Sequence, residues 1–420
     1  MSRKMKDSGI DWIGEIPEEW EVRRIKTIST CRENKLADNS GTDYFALENI
    51  VSWNGSYIHT DSIYDTTGAI ICKTGDIAFG KLRPYLAKVF QIEHDRCCSS
   101  EFAVFGDFLG FSRYYFYIML TNGFVNSVDL STYGVKMPRA NIDYIKNMFV
   151  PIPSYNEQQH ISGYLDRQCT HIDNIIEKTK TSIEEYKKLK QAVITQAVTK
   201  GVRGDRPMKD SGIEWIGEIP EEWEVTRMKY CAELSPKCNL LSLHEKSIVE
   251  YLPMEYVKNR SYIHNTALYG SIPHSLTQFQ NGDIIFAKVT PCFENGNIAI
   301  PSNMPSGIGF GSSELYVLRT IKILKNYLFY WIQNSLFVNE ACATMTGTGG
   351  LKRVSSAFVC NSYLPYPSAA EQSEIAAYLD KKCAEIDAII NKKQKFITEM
   401  ENYKKSLIFE CVTGKREVSV

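Results

Sequence analysis

A chain of 420 residues with a formal net charge of −1, 44% hydrophobic and 23% charged, is too long for one ordinary core and has the composition of a soluble globular protein in two or three domains. Its longest apolar or aromatic run, "YYFYIML", is far shorter than a membrane span, and its opening lacks the apolar core of a secretory signal, so a cytoplasmic chain with no membrane partner is expected. A near-zero net charge neither requires nor excludes nucleic acid, since binding needs a local basic face and not a basic total.

In chain order, the first feature is "MKDSGIDWIGEIPEEWEV" at residues 5–22, which returns at 208–225 with one change, Asp11 to Glu214. The middles that follow, 23–149 and 226–363, share only a skeleton: "GDIAFGK" against "GDIIFAK", "SSEF" against "SSEL", "RYYFYIML" against "NYLFYWIQ". Short runs of Ile, Val, Phe and Tyr between Gly-Asp turns predict strands, while 114–126 and 327–341 read as helices, so each middle is a mixed α/β domain. "GIGFG" at 307–311 is read as a turn before a strand, because no phosphate-binding helix follows it.

Each middle gives way to "PIPS" or "PYPS", where Ser154 or Ser368 with Glu157 or Glu371 predicts a capping box. From there the two tails match at a constant offset of 214 residues, whereas the openings match at 203, so the second middle is 11 residues longer. A four-three apolar spacing runs through Ile161, Leu165, Ile172, Ile175, Tyr186, Leu189 and Val193, and again through Ile375, Leu379, Ile386, Ile389, Phe396, Met400, Tyr403 and Leu407. Each tail is expected to be one helix of about 43 residues and some 65 Å, long enough to need a partner, and the nearest partner is its own copy in an antiparallel coiled coil. Such a pair would carry an α/β domain at either end of a rod with a pseudo-twofold axis through its middle. "KGVRGDRP" between the halves reads as a linker.

Of the 12 cysteines none forms a CxxC pair, so a zinc site is not expected, and Cys169 and Cys383, at equivalent helix positions, read as small buried residues. His160 and His171 stand where the second copy has Glu374 and Glu385 and read as solvated. No Walker A loop, HExxH, GxSxG or nuclease-like carboxylate cluster occurs, so the isolated chain is expected to catalyse nothing and to bind no cofactor or metal.

The motifs "GEIPEEWEV", "GDIAFGKLRPYLAKV" and "GDIIFAKVTP", "SSEF" and "SSEL", then "EQ…YLD" leading into a long helix, repeated twice in the same order, resemble the specificity subunit of a type I restriction-modification system. The resemblance covers essentially the whole chain. It implies two target-recognition domains with their opening segments at 1–152 and 208–366, long helices at 153–200 and 367–414, and a linker at 201–207. It further implies that each recognition domain reads one half of an asymmetric bipartite target in double-stranded DNA. The helical pair would set the gap, placing the domains about 34 Å, one turn of DNA, apart.

Partners implied by the resemblance are two modification subunits, which transfer methyl from S-adenosylmethionine to adenine N6, and restriction subunits, which use ATP and Mg. Residues expected to pair the helices and dock partners are Ile161, Leu165, Ile172, Ile175, Leu189, Ile375, Leu379, Ile386, Ile389 and Leu407. Basic residues on Gly-containing loops suit phosphate or guanine contact, which selects Lys81, Arg83, Lys136 and Arg139, with Tyr133 on the same loop, in the first half and Lys288, Lys352 and Arg353, with Thr290 beside them, in the second. Trp12, Trp20, Trp215 and Trp223 recur unchanged where DNA specificity should differ, and are assigned to packing. The alternative is a non-catalytic two-armed coiled-coil scaffold for protein partners, whose end loops should be apolar and charge-poor.

Overall fold

The computed structural model describes residues 3–39, 43–134, 136–273, 275–347 and 350–418. Two compact units result: one runs to Lys180 and resumes at Lys393, and the other is Thr181–Lys392. Their boundaries fall inside the two long helices, not at the linker.

The Gly-Asp turns start the central strand of each domain. Gly75 and Gly282 have φ of 88° and 87°, left-handed values open to glycine, and the next residue closes the turn: Asp76 accepts the Lys73 N–H at 2.9 Å and Asp283 the Gln280 N–H at 2.8 Å. Ile77–Gly80 then lies buried in an antiparallel sheet ordered Thr30–Cys31, Phe102–Gly106, Ile77–Gly80, Val89–Gln91. The second unit repeats it as Ala232–Leu234, Leu315–Thr320, Ile284–Ala287, Ile298–Ala299.

A second sheet accompanies each, three-stranded in the first unit and four-stranded in the second, where Thr277–Gln280 forms its far edge. Tyr44–Phe45, Arg96–Cys98 and Ile70–Cys72 form it in the first unit, with one parallel pair. The second unit keeps that parallel pair between Ile248–Leu252 and Ile308–Gly311 and adds Thr266–Leu268, an extra strand in the longer middle. "GIGFG" is therefore mostly strand and not turn. Its Gly309 lies so close to the Phe279 ring that a Cβ would collide with it.

Each predicted middle helix is in fact two: Ser112–Met119 and Asn122–Leu130, then Lys325–Gln333 and Ser335–Ala343. Thr121 and Asn334 cause the break, because their side chains accept backbone N–H groups ahead of them and restart the helix as N-caps.

The tails form helices Tyr155–Lys200, 46 residues, and Ala369–Val412, 44 residues. In the first unit Lys404 donates to both Asp173 oxygens at 2.7–2.8 Å, while His160 and Ile161 share a cleft with Arg416 and Glu417, so the two helical stretches run antiparallel. In the second unit Lys190 meets Asp387 at 2.7 Å and Arg203 meets Glu374 at 2.8 Å, in the same antiparallel sense. Ile161, Leu165, Cys169, Ile172, Ile176 and Ile183 are buried on the first helix, and Ile375, Leu379, Cys383, Ile386, Ile397 and Leu407 on the second.

Two expectations about this seam are corrected. Ile175 and Ile389 are only half-buried, and Leu189 is 48% exposed, as are its counterpart Tyr403 and Phe396 in similar degree. Lys190 and Lys404 take the inward position instead: their stems are largely buried and their ammonium groups end on Asp387 and Asp173, which turns the preceding residue outward.

The repeated opening is explained by one anchor built twice. Trp20 and Trp223, each 1% exposed, donate their indole N–H to Glu157 and Glu371 at 2.9 Å. Arg3 and Arg206 lie 5.3 and 5.1 Å from the ring centroids and 2.6 Å from the same carboxylates. Ser154 and Ser368 do accept the Glu157 and Glu371 N–H groups at 3.4 Å, but each carboxylate goes to its tryptophan, so only half of the capping box forms. Trp12 packs on Phe124 and Trp215 on Trp331. The domains are fastened to the helices by tyrosines: Tyr114 reaches the Val412 carbonyl and Tyr117 Asp166, while Tyr327 reaches the Val198 carbonyl and Tyr330 Asp380.

Candidate nucleic-acid interface

In each domain a loop folds back on the end of the central strand. Residues 131–134 and 136–140 do so in the first unit: Arg139 exchanges backbone hydrogen bonds with Tyr133, the Ala140 N–H donates to the Lys81 carbonyl, and the Arg83 N–H donates to the Pro138 carbonyl. The second unit repeats the pattern, with Arg353 against Thr346, Val354 N–H on the Lys288 carbonyl, and Thr290 N–H on the Lys352 carbonyl. Val135, Thr348 and Gly349 of these loops lie outside the described residues. The structure thus brings Lys81, Arg83, Tyr133, Lys136 and Arg139 together, and likewise Lys288, Thr290, Lys352 and Arg353.

Their side chains differ in availability. Arg83, Lys136 and Lys352 are exposed and take part in no ion pair among the described residues, and Tyr133 is 62% exposed. Arg83 holds a left-handed backbone with φ of 51°, a conformation that costs a non-glycine residue about 1 kcal/mol. Lys81 is half-buried, and desolvation pushes its pKa down, with neighbouring Glu101 opposing the shift and Lys35 adding to it. Lys288 lies 5.2 Å from the Tyr316 ring centroid.

Three expected readers are otherwise engaged. Arg139 donates through Nε and Nη2 to Glu101 at 3.1 and 2.8 Å, and Arg353 does the same to Glu314 at 2.9 and 2.8 Å. Thr290 is buried: its hydroxyl donates to the Gly350 carbonyl and accepts the Lys352 N–H, both at 2.9 Å, so it braces the loop from within. Glu101 and Glu314 are the glutamates of "SSEF" and "SSEL", which sequence reasoning noticed as motifs without assigning the carboxylate. Lys35, exposed and bridged to Ile70, is a further cation it missed.

Exposed cations around an aromatic, on a loop braced by buried hydrogen bonds, suit a phosphate backbone and base edges. Among the described residues no group of His, Cys, Asp and Glu could hold a metal ion, and no helix is long and apolar enough to cross a membrane.

A family model described as the type I restriction modification DNA specificity domain matches the chain twice, over residues 17–185 and 220–399. The EcoAI specificity subunit of Escherichia coli is 34% identical over 163 residues, which cover 38% of this chain and only 27% of that protein. The MjaVIII specificity subunit of Methanocaldococcus jannaschii is 26% identical over 433 residues, covering 96% of this chain and 94% of that one. Among solved structures, a chain from a study of complex assembly and conformational transition of the type I R-M system superposes with a TM-score of 0.75 at 15% identity, covering 96% of this chain and 99% of its own length. The HsdS subunit from Thermoanaerobacter tengcongensis gives 0.53 at 16% identity, with 96% and 98% covered. At such identities the structural likeness concerns the fold.

Proposed function

Since this chain belongs to the type I restriction modification DNA specificity family, we propose that it is the non-catalytic subunit that selects DNA for such a complex, each unit reading one half of an asymmetric bipartite target. One observation carries this reading. The loop framework is the same in both units, whereas the side chains it exposes among the described residues differ: Arg83, Tyr133, Lys136 and Met137 in one, and Thr346, Leu351, Lys352 and the Glu314-bound Arg353 in the other. A shared frame with unlike tips is what two different half-sites require.

The repeated opening and helices serve identical partners. Two modification subunits would each dock on one copy, through helix faces that expose Leu189 and its counterpart Tyr403. S-adenosylmethionine, ATP and Mg would then enter with the modification and restriction subunits, and the lengths of the long helices would set the gap between half-sites.

The test is a genome-wide map of N6-methyladenine in cells with and without this gene, followed by binding of the reconstituted complex to the motif found. Loss of one motif made of two short, unlike half-sites at fixed spacing is the expected result. Identical maps, with no sequence preference by the reconstituted complex, would refute the assignment. Arg83→Ala with Lys136→Ala should then weaken binding to all duplexes by about tenfold or more and lower the salt slope by about one per lost phosphate contact. Unchanged affinity and slope would remove both residues from the interface.

A further inference from the structure

Resting on the DNA-reading function proposed above, we infer that Glu101 and Glu314 are positioning residues. Each carboxylate clasps its loop arginine against the end of the central strand and thereby sets where the exposed loop tip meets DNA.

The geometry is the same in two units whose loops otherwise differ. Glu101 is itself held on both sides, its N–H donating to Ser99 Oγ at 3.2 Å and its carbonyl accepting the Lys81 N–H at 2.8 Å. Glu314 is held likewise by Ser312 Oγ at 3.2 Å and the Lys288 N–H at 3.0 Å. Each carboxylate then takes the arginine side-on, through Nε and one Nη. The arginine's backbone is pinned at the same place, bridged on one side to Leu82 or Val289 and on the other to Tyr133 or Thr346. Side chain and backbone of one residue are thus both tied down immediately beside the tip, at Lys136–Met137 or Leu351–Lys352.

A feature common to both units cannot encode the difference between two half-sites, so the clasp belongs to the frame. Its charge also works against mere attraction, because a carboxylate beside a phosphate-binding loop repels DNA. Removing that charge separates two outcomes. If the glutamate only lowers the local positive field, Glu101→Gln strengthens binding to every duplex. If it positions the loop, the same change weakens the cognate duplex alone.

The experiment uses the full-length chain reconstituted with its modification subunits. Probes are a duplex carrying the motif from the methylation map, variants with base changes in either half-site, and a duplex of random sequence at the same salt. For Glu101→Gln the expected result is about a tenfold loss on the cognate duplex with no loss on the random one, and base changes in one half-site ceasing to matter. Glu314→Gln should relax the other half-site only. Adding Glu101→Gln to Arg139→Gln should cost nothing further, because the pair acts as a unit. Equal losses on cognate and random DNA, or discrimination unchanged in both glutamine variants, would overturn the inference. A wild-type complex that prefers no bipartite duplex would instead overturn the functional assignment beneath it.

Discussion

The Arg139 guanidinium holds the Glu101 carboxyl below its ordinary pKa of 4.5, and Arg353 lowers Glu314 in the same way. A carboxylate whose folded-state pKa is depressed adds stability above its unfolded value, and that contribution is lost as pH falls through the folded pKa. Both clasps should therefore stay closed across the neutral range and open only in acid, below 4.5. Titrating the glutamate side-chain carboxyl by NMR checks this: a midpoint for Glu101 or Glu314 at or above 4.5 would contradict it. At this scale the positions of the loop residues were legible in the sequence, since basic residues beside glycines marked both loops. Their partners were not. Arg139 and Arg353 read as free cations because the glutamates that bind them lie 38 and 39 residues away in sequence, and no local spacing announces such a pair.

Among elements, the anchor of opening segment to long helix is the best-defined contact, and its two copies are not equally dry. Glu371 is buried, whereas the Glu157 side chain is about a quarter exposed. Trp223→Phe removes the indole N–H from a buried carboxylate, which should cost about 1–3 kcal/mol, while Trp20→Phe leaves a carboxylate that water can reach and should cost less. Thermal or denaturant unfolding of the two variants measures the difference, and an equal or reversed order would count against it. Arg206 approaches Glu371 Oε1 at 2.6 Å as an ion pair without hydrogen-bond alignment, and among the described residues no donor is aligned on that oxygen. The tryptophans' packing role and the existence of both long helices were legible from repetition and from the absence of helix breakers. The exact seam was not, because Lys190 and Lys404 occupy inward positions that an apolar pattern assigns to neighbours such as Leu189. Arginine partners also shift between units. Asp166 takes Arg113, while its counterpart Asp380 has Arg260 nearby at 3.9 Å, from a different part of the domain, so aligning the two halves reveals the aspartate and tyrosine but not the arginine.

For the whole molecule, the decisive feature is that neither unit is built from one half of the sequence. The first takes Lys393 onward from the second half's helix, and the second takes Thr181–Lys200 from the first half's helix. Residues 1–200 alone would expose the face of Tyr155–Lys180 that Lys393–Val412 covers. Yet those covering residues have close counterparts in the first half: Ile397, Lys404, Leu407 and Ile408 correspond to Ile183, Lys190, Val193 and Ile194. A second copy of 1–200 can thus lend its own Lys190 to Asp173, and light scattering should find the isolated half to be a dimer; a stable monomer would contradict this. Such a homodimer would carry two identical readers related by a twofold axis and would be confined to palindromes. Joining both halves covalently replaces mass action with stoichiometry fixed at synthesis, and frees one reader to drift away from the other.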